Sequence, residues 1–282
     1  MISGALVLYK EKEVIPFLKV RLSRIFLPMV IWSIICLLIS FCTNEISSRE
    51  LFVKILMIPV FPQVGTYWFI YVIFGIYLVA PPLAFWLNRC KRKDVEFYLV
   101  IWAITLLLPY LESISPLFNS LVGHASGYLY YFYGFLGFAV LGFYLRRYVL
   151  IKQMKWTHIA IIGLLLIFPW VLYLFPIVPH SAIQNRMSIN MAALASVYFL
   201  IIKHIRWSDR MKKICYDFAN HSFGIYLVHL IVMRRILWPL IEPLHLHYAI
   251  QIPLVVILTA GISYGIVHLL SKLPYSKYII GL

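Results

Sequence analysis

Hydrophobic residues in this chain run in long unbroken stretches separated by short polar or basic ones, with no alternation of period two. Stretches at residues 25–41, 67–87, 95–111, 128–145, 156–175, 187–202, 214–233 and 250–270 each approach the ~20 residues an α-helix needs to cross hydrocarbon. Lipid offers no partner to backbone N–H and C=O groups, so spanning segments must be helices or closed barrels, and the lack of alternation rules out the barrel. The pattern predicts an all-α fold, a polytopic transmembrane helical bundle of about eight complete spans forming a single domain over residues 1–282. Pro59, Pro62, Pro109, Pro116, Pro176, Pro179 and Pro239 fall near the predicted ends, where a missing N–H does least harm. Two apolar segments are too short to cross. Residues 1–9 read as an N-terminal half-span, the exit half of a helix whose start precedes the chain. Residues 51–62, broken by Pro59 and Pro62, read as interfacial or re-entrant.

Composition agrees with lipid as the solvent: 63% of residues are hydrophobic, 12% are charged, and the mean hydropathy is +0.89. The net charge of +15 raises the question of a nucleic-acid partner, but the basic residues lie between apolar runs and are not gathered on one face, so no nucleic acid is expected. Their distribution carries topology instead. Of the 25 lysines and arginines, 20 fall in one alternating set of connections, at 10–24, 89–93, 146–155, 203–213 and 272–277. The other set holds Arg49, Lys54, Arg186, Arg234 and Arg235. Positive connections stay with the cytoplasm, which places the first set and the C-terminus there. A missed or invented span would reverse the parity of every later loop and destroy the segregation. Cys36, Cys42, Cys90 and Cys215 form no CxxC pair, so neither a disulfide framework nor a zinc site is expected.

Three groups of residues could carry chemistry. Ser222, Tyr226 and His229 recur at i, i+4 and i+7 and share one helical face, while Gly224 permits close approach of a neighbouring helix. In hydrocarbon such a stripe must face the bundle interior or a wet cavity; on spacing alone it serves equally as interhelical glue or as a site. Arg21, Arg24 and Pro28 lie at i, i+3 and i+7 where the chain enters its first complete span. Pro28 cannot donate to the Arg24 carbonyl, which loosens that turn. Two guanidinium groups at a cytoplasmic mouth either anchor the helix end or bind phosphate through their forked donors. Thr66, Tyr67, Trp68, Phe69 and Tyr71 form either an interfacial aromatic belt or the wall of an acceptor pocket. Asp217 lies one turn before His221, a plausible structural pair. His245 and His247, near Glu242, stand two residues apart, which points them to opposite sides of any helix, so no metal site is expected. His124 and His180 fall in loops of the less basic set, and His158, His204 and His268 near predicted cytoplasmic ends.

Residues 1–4 (Met-Ile-Ser-Gly), the run from Phe17 through Arg21 and Arg24 to Pro28, the Tyr67-Trp68-Phe69 triplet, and the stretch from His221 through Ser222, Phe223, Gly224, Ile225 and Tyr226 to His229 resemble, in order and spacing, the acyltransferase family 3 membrane proteins. The resemblance covers essentially the whole chain and is nearest to members without an extra extracytoplasmic hydrolase-like domain. It implies a bacterial O-acyltransferase of the inner (cytoplasmic) membrane, with acetyl-CoA or another acyl-CoA as donor substrate, no bound cofactor, and a polysaccharide or lipid-linked glycan as acceptor within the lipid bilayer. By resemblance Arg21 and Arg24 bind the donor's phosphates, His229, Tyr226 and Ser222 belong to the catalytic group, with His229 in a supporting role, and Tyr67 and Trp68 bind the acceptor. The family's first helix, which carries an essential histidine, and part of its second have no counterpart here. A glycan or lipid transporter or flippase, and an inactive membrane scaffold, are the alternative readings.

The charge parity is directly testable. Of single cysteines introduced at Lys93 and Glu112, an impermeant maleimide added outside intact cells is expected to label only the second; labelling of both would overturn the topology.

Overall fold

The structure, a computed structural model, describes residues 1–123, 125–150, 160, 163–164, 166–167, 171, 174 and 180–281. Every regular element among the described residues is helical. In chain order the principal ones are α1 (Ile2–Val7), α2 (Val14–Cys42), α3 (Ser48–Met57), α4 (Trp68–Arg89), α5 (Arg92–Glu112), α6 (Leu136–Tyr148), α7 (Ile189–His204), α8 (Asp209–Leu244), α9 (Tyr248–Ser271) and α10 (Ser276–Ile280). Five of them, α2, α4, α5, α8 and α9, are long and apolar enough to cross a membrane. No more than 39% of the spanning window of any of these five is buried within the chain, so most of their apolar surface requires a non-aqueous surrounding.

The other three predicted spans fare differently. The helix expected over 187–202 is present as α7, 16 residues long and apolar. The helix expected over 128–145 starts only at Leu136 and runs for 13 residues. Gly134, at φ +125, takes a conformation open mainly to glycine, and its carbonyl accepts the indole N–H of Trp102 at 3.0 Å, so the helix cannot extend back through it. The segment 156–175 lies mostly outside the described residues, as do His124 and His158. Residues 1–9 contain only the six-residue α1. The 51–62 segment contributes the ten-residue α3, started by a Ser47–Glu50 capping box; α3 and the turn after it expose Phe52, Leu56, Val60 and Phe61.

The chain folds into two compact units, residues 1–13 with 78–206, and residues 14–77 with 207–282. In the first, α1 lies against α6 at backbone distance: a Cβ on Gly4 would stand 2.1 Å from the Ala139 carbonyl oxygen, and one on Gly142 2.1 Å from that of Met1. Trp102, Leu106, Met187 and Ala192 form its core, with the Trp102 ring lying on Gly137. The second unit gathers Met29, Trp32, Tyr67, Leu227, Val228 and Val267 into its core. There α8 and α9 approach closely at Gly224, where an added Cβ would meet Val267 at 2.7 Å, as the small residue in that stripe led one to expect. The C-terminal α10 is tied back onto α2 by the Trp32 indole, which donates to the Ile279 carbonyl at 2.9 Å.

Two long helices of the second unit, α2 and α8, change winding. Leu22–Phe26 in α2 and Val232–Leu237 in α8 are π-helical turns, closed by Leu27 N–H to Leu22 O and Trp238 N–H to Met233 O. Each turn holds an arginine four residues before a proline: Arg24 before Pro28, Arg235 before Pro239. Proline cannot make the i→i−4 bond, and widening the preceding turn lets the neighbouring N–H groups find carbonyls further back.

Because the Gly137 contact is with a ring held by its own hydrogen bond, Gly137→Ala should destabilise the chain by about 1–3 kcal/mol, whereas Gly261→Ala, which meets nothing within 4 Å, should not. Thermal unfolding in detergent compares them, and equal midpoints would contradict the packing described.

Candidate active site

The residues singled out from the sequence all belong to the second unit, and the structure sorts them into separate places. At the N-terminal part of α2, the Arg21 guanidinium lies 5.5 Å from the Phe17 ring centre and 5.2 Å from that of Tyr77, with the two rings edge to face at 5.8 Å. Cation–π contact on two sides holds Arg21 in place. Arg24, inside the π turn, is exposed. Its carbonyl, which Pro28 cannot reach as a donor, is covered by Gly281: a Cβ there would lie 2.5 Å from it and 2.5 Å from the Phe223 ring. Gly281 has φ +77, a second reason for glycine at that position. One arginine is thus fixed and its neighbour stands open.

The aromatic triplet and the α8 stripe meet. Tyr67, fully buried, donates its hydroxyl proton to the Leu227 carbonyl at 2.6 Å, and Tyr226 donates in return to the Thr66 carbonyl. The two rings stand 6.1 Å apart, Phe69 lies edge-on to Tyr226 at 6.3 Å, and Trp68 packs on Phe69 at 5.9 Å. The segment carrying them is fixed by Tyr71, whose hydroxyl donates to the Ile58 carbonyl. His229 stacks obliquely on Tyr226 at 5.6 Å, and its Nδ1 lies 2.6 Å from the Tyr226 carbonyl oxygen. A carbonyl only accepts, so Nδ1 carries the proton and Nε2 keeps its lone pair. Beside them the Thr66 hydroxyl is buried with no hydrogen-bond partner among the described residues, an unsatisfied group of the kind a ligand can complete. Cys36 packs against the cluster that holds Tyr67.

Ser222 does not join this group. It is exposed, and its hydroxyl donates to the Ala219 carbonyl at 2.7 Å in its own helix.

Two arrangements escaped sequence reasoning. Asp217 accepts from the Tyr264 hydroxyl at 2.5 Å and lies 3.5 Å from Nδ1 of the buried His221, with His268 5.6 Å from His221. Only the Asp217–His221 pair was foreseeable; the signal for the remainder is the i, i+4 spacing of Tyr264 and His268 on α9. The second is a cavity of about 150 Å³ lined by Cys36, Ser40, Gln63, Gly65, Arg234 and Arg235 among others. Its signal was the Arg234–Arg235 pair in the connection set otherwise poor in positive charge. No group of three potential metal ligands occurs among the described residues; His247 caps α9 by accepting from the Ala249 N–H at 3.3 Å.

These features define a helical membrane protein with a cluster of aromatic and polar side chains where the start of α4 meets α8. The model of one family, described as an acyltransferase domain, matches residues 1–268; the chain belongs to that family, acyltransferase family 3, and is a multi-pass membrane acyltransferase acting on groups other than aminoacyl groups. No curated protein and no solved structure matches it.

At the cavity mouth, both carboxylate oxygens of Glu45 accept from Arg235, one at 2.6 Å. The hydrogen bonds from Arg235 hold the Glu45 carboxyl down at about 2, from an ordinary 4.5. A depressed folded-state pKa adds stability that is complete above 4.5 and is lost as pH falls towards 2. The melting temperature of the protein should therefore exceed that of Glu45→Gln above pH 4.5, with the gap closing towards pH 2; a gap independent of pH would contradict the pairing.

Proposed function

We propose that the chain transfers an acetyl group from acetyl-CoA to a sugar hydroxyl of a cell-surface polysaccharide or lipid-linked glycan precursor, in a bacterial inner membrane with the C-terminus cytoplasmic. The observation that carries this reading is the orientation of His229: Nδ1 is turned to the Tyr226 carbonyl, which in the neutral ring leaves Nε2 as an acceptor. A sugar hydroxyl donating to Nε2 is oriented for attack, and its ring stacks on Trp68 and Tyr226. The family membership supplies the reaction class.

The donor is placed by Arg21 and Arg24. Along α2, Arg24 and Cys36 are 12 residues apart, about 18 Å at the helical rise, so a donor whose phosphates lie at Arg24 must extend a long arm to bring its thioester to Tyr67 and His229. Coenzyme A has such an arm between its phosphates and its sulfur. The hydroxyl oxygen bonds to the thioester carbonyl carbon, the tetrahedral intermediate expels the coenzyme A thiolate, and the hydroxyl proton ends on that sulfur. His229 positions the hydroxyl in this sequence, and Tyr226 holds His229. Ser222, bonded within its own helix, supports α8 and touches neither substrate.

The test is transfer of labelled acetyl from acetyl-CoA to glycan acceptors by the purified protein in proteoliposomes. Arg24→Gln should raise KM for acetyl-CoA about tenfold, the effect of losing one charge-assisted hydrogen bond, with kcat little changed. His229→Ala should lower kcat roughly 100-fold, with the donor KM held. Ser222→Ala should act like the unsubstituted chain. Movement of glycan across the bilayer without acetyl transfer would replace this reading with a flippase.

A further inference from the structure

We propose that the cavity at the Arg234 end of α8 binds a phosphate group carried by the acyl acceptor, so that the acceptor is a phosphate-bearing glycan and not a neutral one. The inference rests on the acceptor reading above and deepens it.

The charges at the cavity do not balance. Arg235 is neutralised by Glu45, which it holds with two N–H groups. Arg234 stands exposed at the next position and lines the same cavity; it has no hydrogen bond or ion pair among the described residues. Two adjacent guanidinium groups against one carboxylate leave a surplus positive charge in a part of the chain where basic residues are few. Like charges side by side repel unless an anion lies between them. Arg234 and Arg235 both line the cavity, and each guanidinium keeps N–H donors beyond those given to Glu45 and Ser40. That suits a tetrahedral oxyanion better than a planar carboxylate, which Glu45 already supplies.

The remaining walls fit the same ligand. The Gln63 amide donates one N–H to the Phe61 carbonyl at 3.0 Å and has a second to give. Gly65 has open space where a side chain would stand, so a ligand can approach the backbone closely. The cavity borders the site: Cys36, which lines it, packs against the cluster that holds Tyr67, and Leu230, which follows His229, is part of its wall. Arg234 is five residues beyond His229, about 7.5 Å along the helix, a reach that one sugar ring spans. On this proposal a phosphate held at Arg234 leaves the attached sugar within one ring's length of the His229 level of α8. A lipid headgroup phosphate offers the same chemistry, and the experiment must separate the two.

The full chain in phosphatidylcholine nanodiscs is titrated calorimetrically, without donor, with N-acetylglucosamine 1-phosphate and with N-acetylglucosamine, and the titrations are repeated in discs containing phosphatidylglycerol. The sugar phosphate should bind at least about tenfold more tightly than the free sugar. Arg234→Gln should abolish that preference, and Arg234→Lys, which keeps the charge, should restore part of it and show that the fold tolerates the position. Glu45→Gln, which releases Arg235, should strengthen it. Equal affinities for the two sugars, or a preference that survives Arg234→Gln, would overturn the inference. So would loss of sugar-phosphate binding in phosphatidylglycerol discs, which would assign the cavity to a lipid headgroup. Acetyl transfer by the unsubstituted chain to a neutral glycan as fast as to its phosphate-bearing counterpart would refute the inference and leave the acyltransferase reading standing. Sugar-phosphate binding as described without any acetyl transfer would do the reverse.

Discussion

Hydrocarbon does not hydrogen-bond, and a proline in a spanning helix leaves a carbonyl that nothing outside the chain can satisfy. Much of the second unit follows from how this is met at Pro28 and Pro239. Each helix widens into a π turn, and at the first turn Gly281 closes over the freed Arg24 carbonyl. The irregular turns are also where the unit carries Arg24, Arg234 and Arg235. The backbone repair and the placement of charge are one arrangement, which is why π turns are so often found at functional positions.

The two turns lie towards opposite ends of α2 and α8, and the polar interior lies between them. One end offers an arginine clasped between Phe17 and Tyr77 beside an open one. The other offers a cavity with an ion pair at its rim. Tyr67 and Tyr226 join the middle by donating to each other's backbone segment, and since both bonds are shielded from water they hold the Thr66–Tyr67 segment to α8 firmly.

The helical class was legible because lipid exposure demands long apolar runs, and five of them match helices long enough to cross. Boundaries were less so. The residue that starts α6 late is Gly134, whose positive φ depends on a tertiary bond from Trp102 that no local pattern records. The face shared by Ser222, Tyr226 and His229 was correctly periodic but incompletely covered: the Thr66–Phe69 segment crosses α8 at Tyr226 and Leu227, and Ser222, about one turn away, finds its partner in Ala219. Spacing shows which residues look the same way; it does not show where a neighbour is present. Arg234 and Arg235 were visible as charges on the wrong side of a count, yet only packing revealed the hollow beside them.

The tyrosine clamp has a further chemical consequence. With Tyr67, Tyr226 and the Nδ1 of His229 all directed to carbonyls, these groups have mainly lone pairs left to offer a ligand. Such a lining welcomes an incoming alcohol and is inhospitable to an alkoxide. On the acyl-transfer reading proposed above, the negative oxygen of the thioester adduct would draw its stabilisation from the Thr66 hydroxyl or from the substrates' own donors, an arrangement that favours nucleophiles that surrender their proton late.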